Sequence, residues 1–139
     1  MKGEKIFTIS INKLNTKKLI KTSNAPSAIG PYSQAVEING TLYISGQLPV
    51  DPVTGKLTEG IAEQTSQVLM NIGAILKDAG YNFSDVVKST CFLSDINNFK
   101  AMNVVYARYY SENPPARATI AVKDLPLGAL IEIETIAVK

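Results

Sequence analysis

The sequence predicts a single α+β domain: a mixed sheet of about six strands with two helices packed on one face, in the order β-β-β-α-β-α-β-β. Three observations predict it. An Asn39-Gly40 pair separates two short β-prone runs, a long apolar stripe of helical spacing starts at Ile61, and the C-terminal third carries charged residues inside otherwise apolar strand segments.

Taken in order, residues 18–22 read as a first strand. Val36-Glu37-Ile38 and Thr41-Leu42-Tyr43-Ile44-Ser45 flank Asn39-Gly40, a strong signal for a tight hairpin. From Ile61 the stripe occupies positions 61, 65, 68, 69, 72, 75, 76 and 79, and Gly80 ends it in the manner of a helix C-cap. Val86 to Leu93 is a strand. Asp95 can cap a second helix that carries Phe99, Met102, Tyr106 and Tyr109 on one face. Strands at about 116–122 and 130–138 complete the set.

Strict alternation puts Val87, Cys91 and Leu93 on one side of the 86–93 strand and Val86, Thr90 and Phe92 on the other. The last strand puts Ile131 and Ile133 on one side and Leu130, Ile136 and Val138 on the other. Two helices cover only one sheet face. The second face is too apolar for water, so a homo-oligomer with sheets facing inward is expected.

The composition of the 139 residues, 45% hydrophobic and 19% charged, is that of one globular domain with a real core, not of a disordered chain. The net charge of +2 is unevenly spread: residues 1–21 hold six lysines against one glutamate (+5), and the rest holds eight Lys or Arg against eleven Asp or Glu (−3). A mildly acidic body argues against nucleic acid as a partner. With one cysteine and no histidine there is no intramolecular disulfide and no cysteine-based metal cluster. A zinc site would need carboxylates alone, so no metal is expected. No run is long and apolar enough to span a membrane, and no secretory signal is visible. The expected setting is cytoplasmic. Residues 1–16 form a lysine-rich extension, in which Ile6 to Ile11 alternates loosely as an edge strand or belongs to a mobile arm; a targeting peptide is the lesser reading, since the segment lacks arginine. The domain proper is 17–139.

The chemistry-bearing candidates are Arg117, in Pro114-Pro115-Ala116-Arg117-Ala118-Thr119-Ile120, and Glu132, in Leu130-Ile131-Glu132-Ile133-Glu134. Burying an unpaired charge is costly, so each needs a partner or a ligand. Arg117 offers a planar fork of donors suited to a carboxylate; the competing reading is a structural ion pair with Glu134. Glu132 gains a raised pKa if desolvation outweighs the pull of Arg117, or else it is a carboxylate paired with Arg117 or a lysine. Tyr32 follows the turn pair Gly30-Pro31, and Ser45-Gly46 end the hairpin strand where backbone groups can meet a ligand. Cys91 reads as a small core hydrophobe.

Four stretches, Ala28-Ile29-Gly30-Pro31-Tyr32-Ser33-Gln34, Ser45-Gly46-Gln47-Leu48-Pro49, Pro115-Ala116-Arg117 and Ile131-Glu132-Ile133, together resemble the RidA/YjgF family of enamine and imine deaminases, over residues 18–139. The resemblance implies a chorismate-mutase-like fold and a homotrimer with ligand sites in the clefts between subunits. It implies that Arg117 grips the carboxylate of a small 2-imino or 2-enamino acid and that Glu132 positions or activates water. Tyr32, Ser45, Gly46, Asn103 and Thr119 fall in the pocket. Thr119 stands where many members have a cysteine, which favours water over a thiol as nucleophile, and Pro114 stands where phenylalanine is common. The implied reaction is cofactor-free hydrolysis of 2-iminobutanoate or 2-iminopropanoate to the 2-oxo acid and ammonia. A non-catalytic module that binds a 2-oxo or amino acid is the first alternative. RNA cleavage or binding comes last, because without histidine acid-base cleavage has poor candidates.

Overall fold

Asn39 and Gly40 both take positive φ, 52° and 78°, and turn β2 (Ala35–Ile38) back onto β3 (Thr41–Gln47) in the computed structural model, which describes residues 16–139. The expectations for the N-terminal arm before residue 16 lie outside the described residues. The remaining elements are β1 (Lys18–Ile20), α1 (Ile61–Ala79), β4 (Val86–Leu93), α2 (Phe99–Tyr109), β5 (Ala116–Ala121) and β6 (Ile131–Val138). They form one six-stranded sheet in the order β1-β2-β3-β6-β4-β5. Every neighbouring pair is antiparallel except β4 and β5, which run parallel across the α2 crossover. Among the described residues this is the expected mixed sheet with two helices.

The stripe on α1 buries Thr65, Val68, Leu69, Ile72, Ile75 and Leu76. Gly80 closes the helix at φ 82° in the left-handed region, where a side chain would be strained. Asp95 caps as predicted, one step removed: its carboxylate accepts from Asn97 N at 2.9 Å and caps a short 3-10 turn that leads into α2. Met102 and Tyr106 of α2 join the α1 stripe and the inward residues of the sheet (Leu42, Ile44, Cys91, Leu93, Ile131, Ile133) in one core. Burial pushes the Cys91 thiol up to about 11, against the nearby charge of Arg117, so it is an inert core group.

Two expectations need correcting. The first strand ends at Ile20 instead of 22, because the Gln34 side chain takes the Thr22 N–H at 2.7 Å and donates to the Thr22 and Pro26 carbonyls at 3.0 and 2.8 Å. Val87 does not share the face of Cys91. A bulge between Val86 and Lys88 puts Val86 opposite Ala137 in the core and leaves Val87 47% exposed. Beyond it, Ser89, Cys91 and Leu93 point to the helices. The opposite face carries Tyr43 (49% exposed), Ile120 (47%) and Val138 (43%) with Phe92 and Ile136, and neither described helix covers it.

Three polar residues of α1 are buried for a purpose the apolar stripe does not reveal. Asn71, fully buried, donates to Leu48 O at 3.1 Å and Val50 O at 3.0 Å and accepts from Gln67 at 2.9 Å. Gln64 donates to Thr58 O at 2.9 Å and accepts from Leu130 N at 2.8 Å. Together they fix the 48–50 loop and the start of β6. Asn71→Leu keeps the branched shape but orphans two carbonyls, and is expected to cost about 2–4 kcal/mol in urea unfolding at fixed protein concentration.

Candidate active site

Two clefts hold four of the sequence-predicted residues. The first, of about 360 Å³, is lined by Tyr32, Gln34, Gly46 and Leu48, with the exposed apolar residues Ile29 and Leu127. The second, of about 460 Å³, is lined by Arg117 with Asn103, Tyr106, Tyr110, Pro114 and Pro115.

Arg117 lies opposite fully buried Ser89 in the β4–β5 register, so its side chain extends on the helix side of the sheet. There its guanidinium carbon sits 4.7 Å from the centre of the Tyr106 ring and 5.6 Å from that of Phe99. Among the described residues no carboxylate lines its cleft. Glu134 pairs with Thr90 and faces the other way, so the structural ion pair between Arg117 and Glu134 does not form within the chain. Thr119, two residues along the same face, has a buried hydroxyl without a hydrogen-bond partner among the described residues.

Glu132 is opposite Phe92 and therefore on the uncovered face. It is half-buried, and its pKa is raised, first by burial and second by the Glu134 carboxylate on the same face. The alternation that turns Glu132 away from Arg117 also removes the ion pair between these two within one chain. The Glu132 carboxylate lies over Gly46: a Cβ built on Gly46 would fall 2.6 Å from Oε1. Ser45 and Gly46 form a one-residue bulge, where the β3–β6 register steps from Ile44 opposite Thr135 to Gln47 opposite Ile133. The Ser45 hydroxyl donates to Ser33 O at 2.6 Å and its N–H to Gln34 O at 3.0 Å, so Ser45 ties β3 to the Tyr32 turn. Gly46 is then the member of the pair that lines the first cleft. Gly46→Ala is expected to displace the Glu132 carboxylate and cut kcat/KM by more than about tenfold with little change in melting temperature, an enzyme assay and a thermal melt being the checks.

Tyr32, Gly46 and Glu132 thus gather at one end of the β3–β6 bulge, while Arg117, Asn103 and Thr119 belong to the other side of the sheet. One chain thus keeps the candidates in two separate groups. The bracing residues Gln34, Gln64 and Asn71 were missed from sequence; for the last two, the signal is polar residues seven apart along the flank of the apolar stripe. Among the described residues no three His, Cys, Asp or Glu side chains converge as metal ligands.

Comparison with known proteins bears on this geometry. A family model described as Endoribonuclease L-PSP matches residues 22–139. A 2-iminobutanoate/2-iminopropanoate deaminase of Bos taurus is 53% identical over 124 residues, covering 88% of this chain and 90% of its own. A RutC family protein of Pyrococcus horikoshii is also 53% identical over 124 residues, covering 88% and 98%. Among solved structures, E. coli TdcF with bound serine superposes with a TM-score of 0.85 at 38% identity, covering 88% of this chain and 98% of its own.

Proposed function

The chain belongs to the RidA/YjgF family, which includes the L-PSP proteins, and on that premise we propose that it hydrolyses reactive 2-imino and 2-enamino acids to 2-oxo acids and ammonia. The specific substrates proposed are 2-iminopropanoate, the tautomer of 2-aminoacrylate, and 2-iminobutanoate. The observation that carries the reading is Arg117 in its cleft: a permanent cation held by aromatic rings and given no carboxylate there by the described residues. A small anionic substrate supplies what the cleft lacks. The serine bound in TdcF carries such a carboxylate.

In this proposal two copies complete each site. Arg117, Asn103 and Thr119 come from one copy, and Tyr32, Ser45, Gly46 and Glu132 from the next, within a homotrimer whose sheets cover one another's apolar faces. Two observations support it: Arg117 and Glu132 lie on opposite faces of one sheet, and the face of Glu132 is apolar and uncovered. The arginine fork holds the substrate carboxylate. Glu132 accepts a proton from water as the oxygen bonds to C2 of the imine. The proton then passes to the imine nitrogen, giving a carbinolamine; the new hydroxyl gives its proton to the nitrogen as the C=O forms and the C–N bond breaks, and ammonia and the 2-oxo acid leave. Because free imines hydrolyse unaided, positioning supplies most of the gain.

No described helix is long and apolar enough to cross a membrane, and a cytoplasmic setting is part of the same proposal. The description of the family as an endoribonuclease finds no support in a body that lacks histidine and carries a net negative charge beyond residue 21.

The test couples the protein to a threonine or serine dehydratase with semicarbazide as the trap. The expected result is faster 2-oxo acid release and less semicarbazone. Release at the uncatalysed rate would overturn the enzyme reading. Light scattering should give three times the chain mass of 15.0 kDa; a monomer would overturn the shared site.

A further inference from the structure

An arginine side chain on a sheet-edge strand has several rotatable bonds, and a carboxylate neighbour is the usual way to still it. Arg117 has no such neighbour in its cleft among the described residues. We infer that Phe99 and Tyr106 are positioning residues, whose two rings hold the Arg117 guanidinium ready for the substrate carboxylate; this rests on the deaminase reading above. Both rings stand within the distance at which a ring face attracts a cation, 4.7 Å for Tyr106 and 5.6 Å for Phe99. They are seven residues apart on α2, two helical turns, and so share one face above β5.

An aromatic bracket does what an acid cannot. It attracts the cation through its face and leaves the N–H donors unpaired, so an incoming carboxylate displaces no resident anion. The rings are themselves held. Tyr106 is buried and packs on Tyr110 with centroids 4.7 Å apart, and Phe99 packs against the core. The Tyr106 hydroxyl is buried without a hydrogen-bond partner among the described residues; Ser89 lies near it but outside hydrogen-bond geometry. Burial also keeps the phenol protonated, Ser89 opposing only in part. Tyr106 therefore acts through its neutral ring, and the hydroxyl is dispensable to this role.

The experiment compares Tyr106→Leu, Phe99→Leu, Tyr106→Phe and the packing control Val105→Ala, a buried residue of the same helix, with wild type. The readouts are KM and kcat for the imine, the Kd of pyruvate by calorimetry, and the melting temperature. Tyr106→Leu and Phe99→Leu are each expected to raise KM and Kd about three- to tenfold with kcat within about twofold, on the scale of one cation–ring contact. Tyr106→Phe should restore affinity to within about twofold. Val105→Ala should lower the melting temperature and leave Kd in place. Unchanged Kd in both leucine variants, a Tyr106→Phe as weak as Tyr106→Leu, or an equal loss in Val105→Ala would each overturn the inference. If Tyr106→Leu does not fold, Phe99→Leu decides. Wild type that binds pyruvate but turns over no imine would overturn the deaminase reading alone, with the Kd series still deciding the bracket. Wild type that does neither overturns both.

Discussion

Arg117→Ala is expected to abolish the protection against semicarbazone formation, lowering kcat/KM by about a hundredfold or more. A bidentate, charge-assisted pair in a partly dry cleft is worth about 3 kcal/mol, and tenfold in rate corresponds to about 1.4 kcal/mol. Arg117→Lys should recover only a small part, because an ammonium is a point charge without the planar fork. The stability of the variant is the informative control. Among the described residues Arg117 has no carboxylate in its cleft, so removing it breaks no ion pair there. Its loss forfeits the contacts with Tyr106 and Phe99. Thermal melting should therefore move by no more than a few degrees while activity disappears. A large fall in melting temperature would mean that the side chain is structural, and the assignment of Arg117 to the substrate would fail.

How far the residues alone reveal this arrangement depends on how local each cause is. The hairpin at Asn39-Gly40 and the stripe on α1 are set by neighbours a few residues away, and both were legible. The early end of β1 was not, because the group that captures Thr22 is the side chain of Gln34, twelve residues on. The reversal of Val86 and Val87 comes from a bulge against β6, whose register no local pattern in β4 encodes. Arg117 and Glu132 were legible as charges misplaced in apolar strands. That they face opposite sides of the sheet follows only from counting register across β5, β4 and β6: Arg117 lies opposite Ser89, and Glu132 opposite the odd-numbered step away, Phe92. Ser45 shows the same limit on a smaller scale. Read locally, it ends a strand with backbone groups to offer; in the fold its hydroxyl is committed to Ser33. The aromatic bracket was hidden in plain view, since Phe99 and Tyr106 were read correctly as the buried face of α2, and their second role depends on β5 lying beneath them.

Glu132→Gln should leave substrate affinity near that of wild type and lower kcat by about 10²- to 10⁴-fold, the range for loss of a positioned acid-base group. The pH dependence distinguishes a base from a mere contact. Glu132 works as a base only when deprotonated, and burial, then Glu134, raises its pKa from the ordinary glutamate value. Activity should therefore fall as pH drops through that raised pKa, at a higher pH than an exposed glutamate would give. Glu134→Gln removes the second cause, so it should move the acidic limb to lower pH with the plateau little changed. Stability runs the opposite way. A carboxylate whose folded pKa is raised opposes folding once the pH exceeds its unfolded pKa, so Glu132→Gln should be slightly more stable than wild type at neutral pH. A variant that is inactive yet more stable identifies a charge kept at an energetic disadvantage for its chemistry. One that keeps wild-type kcat and loses stability would reduce Glu132 to a packing contact of Gly46 and remove the proposed base.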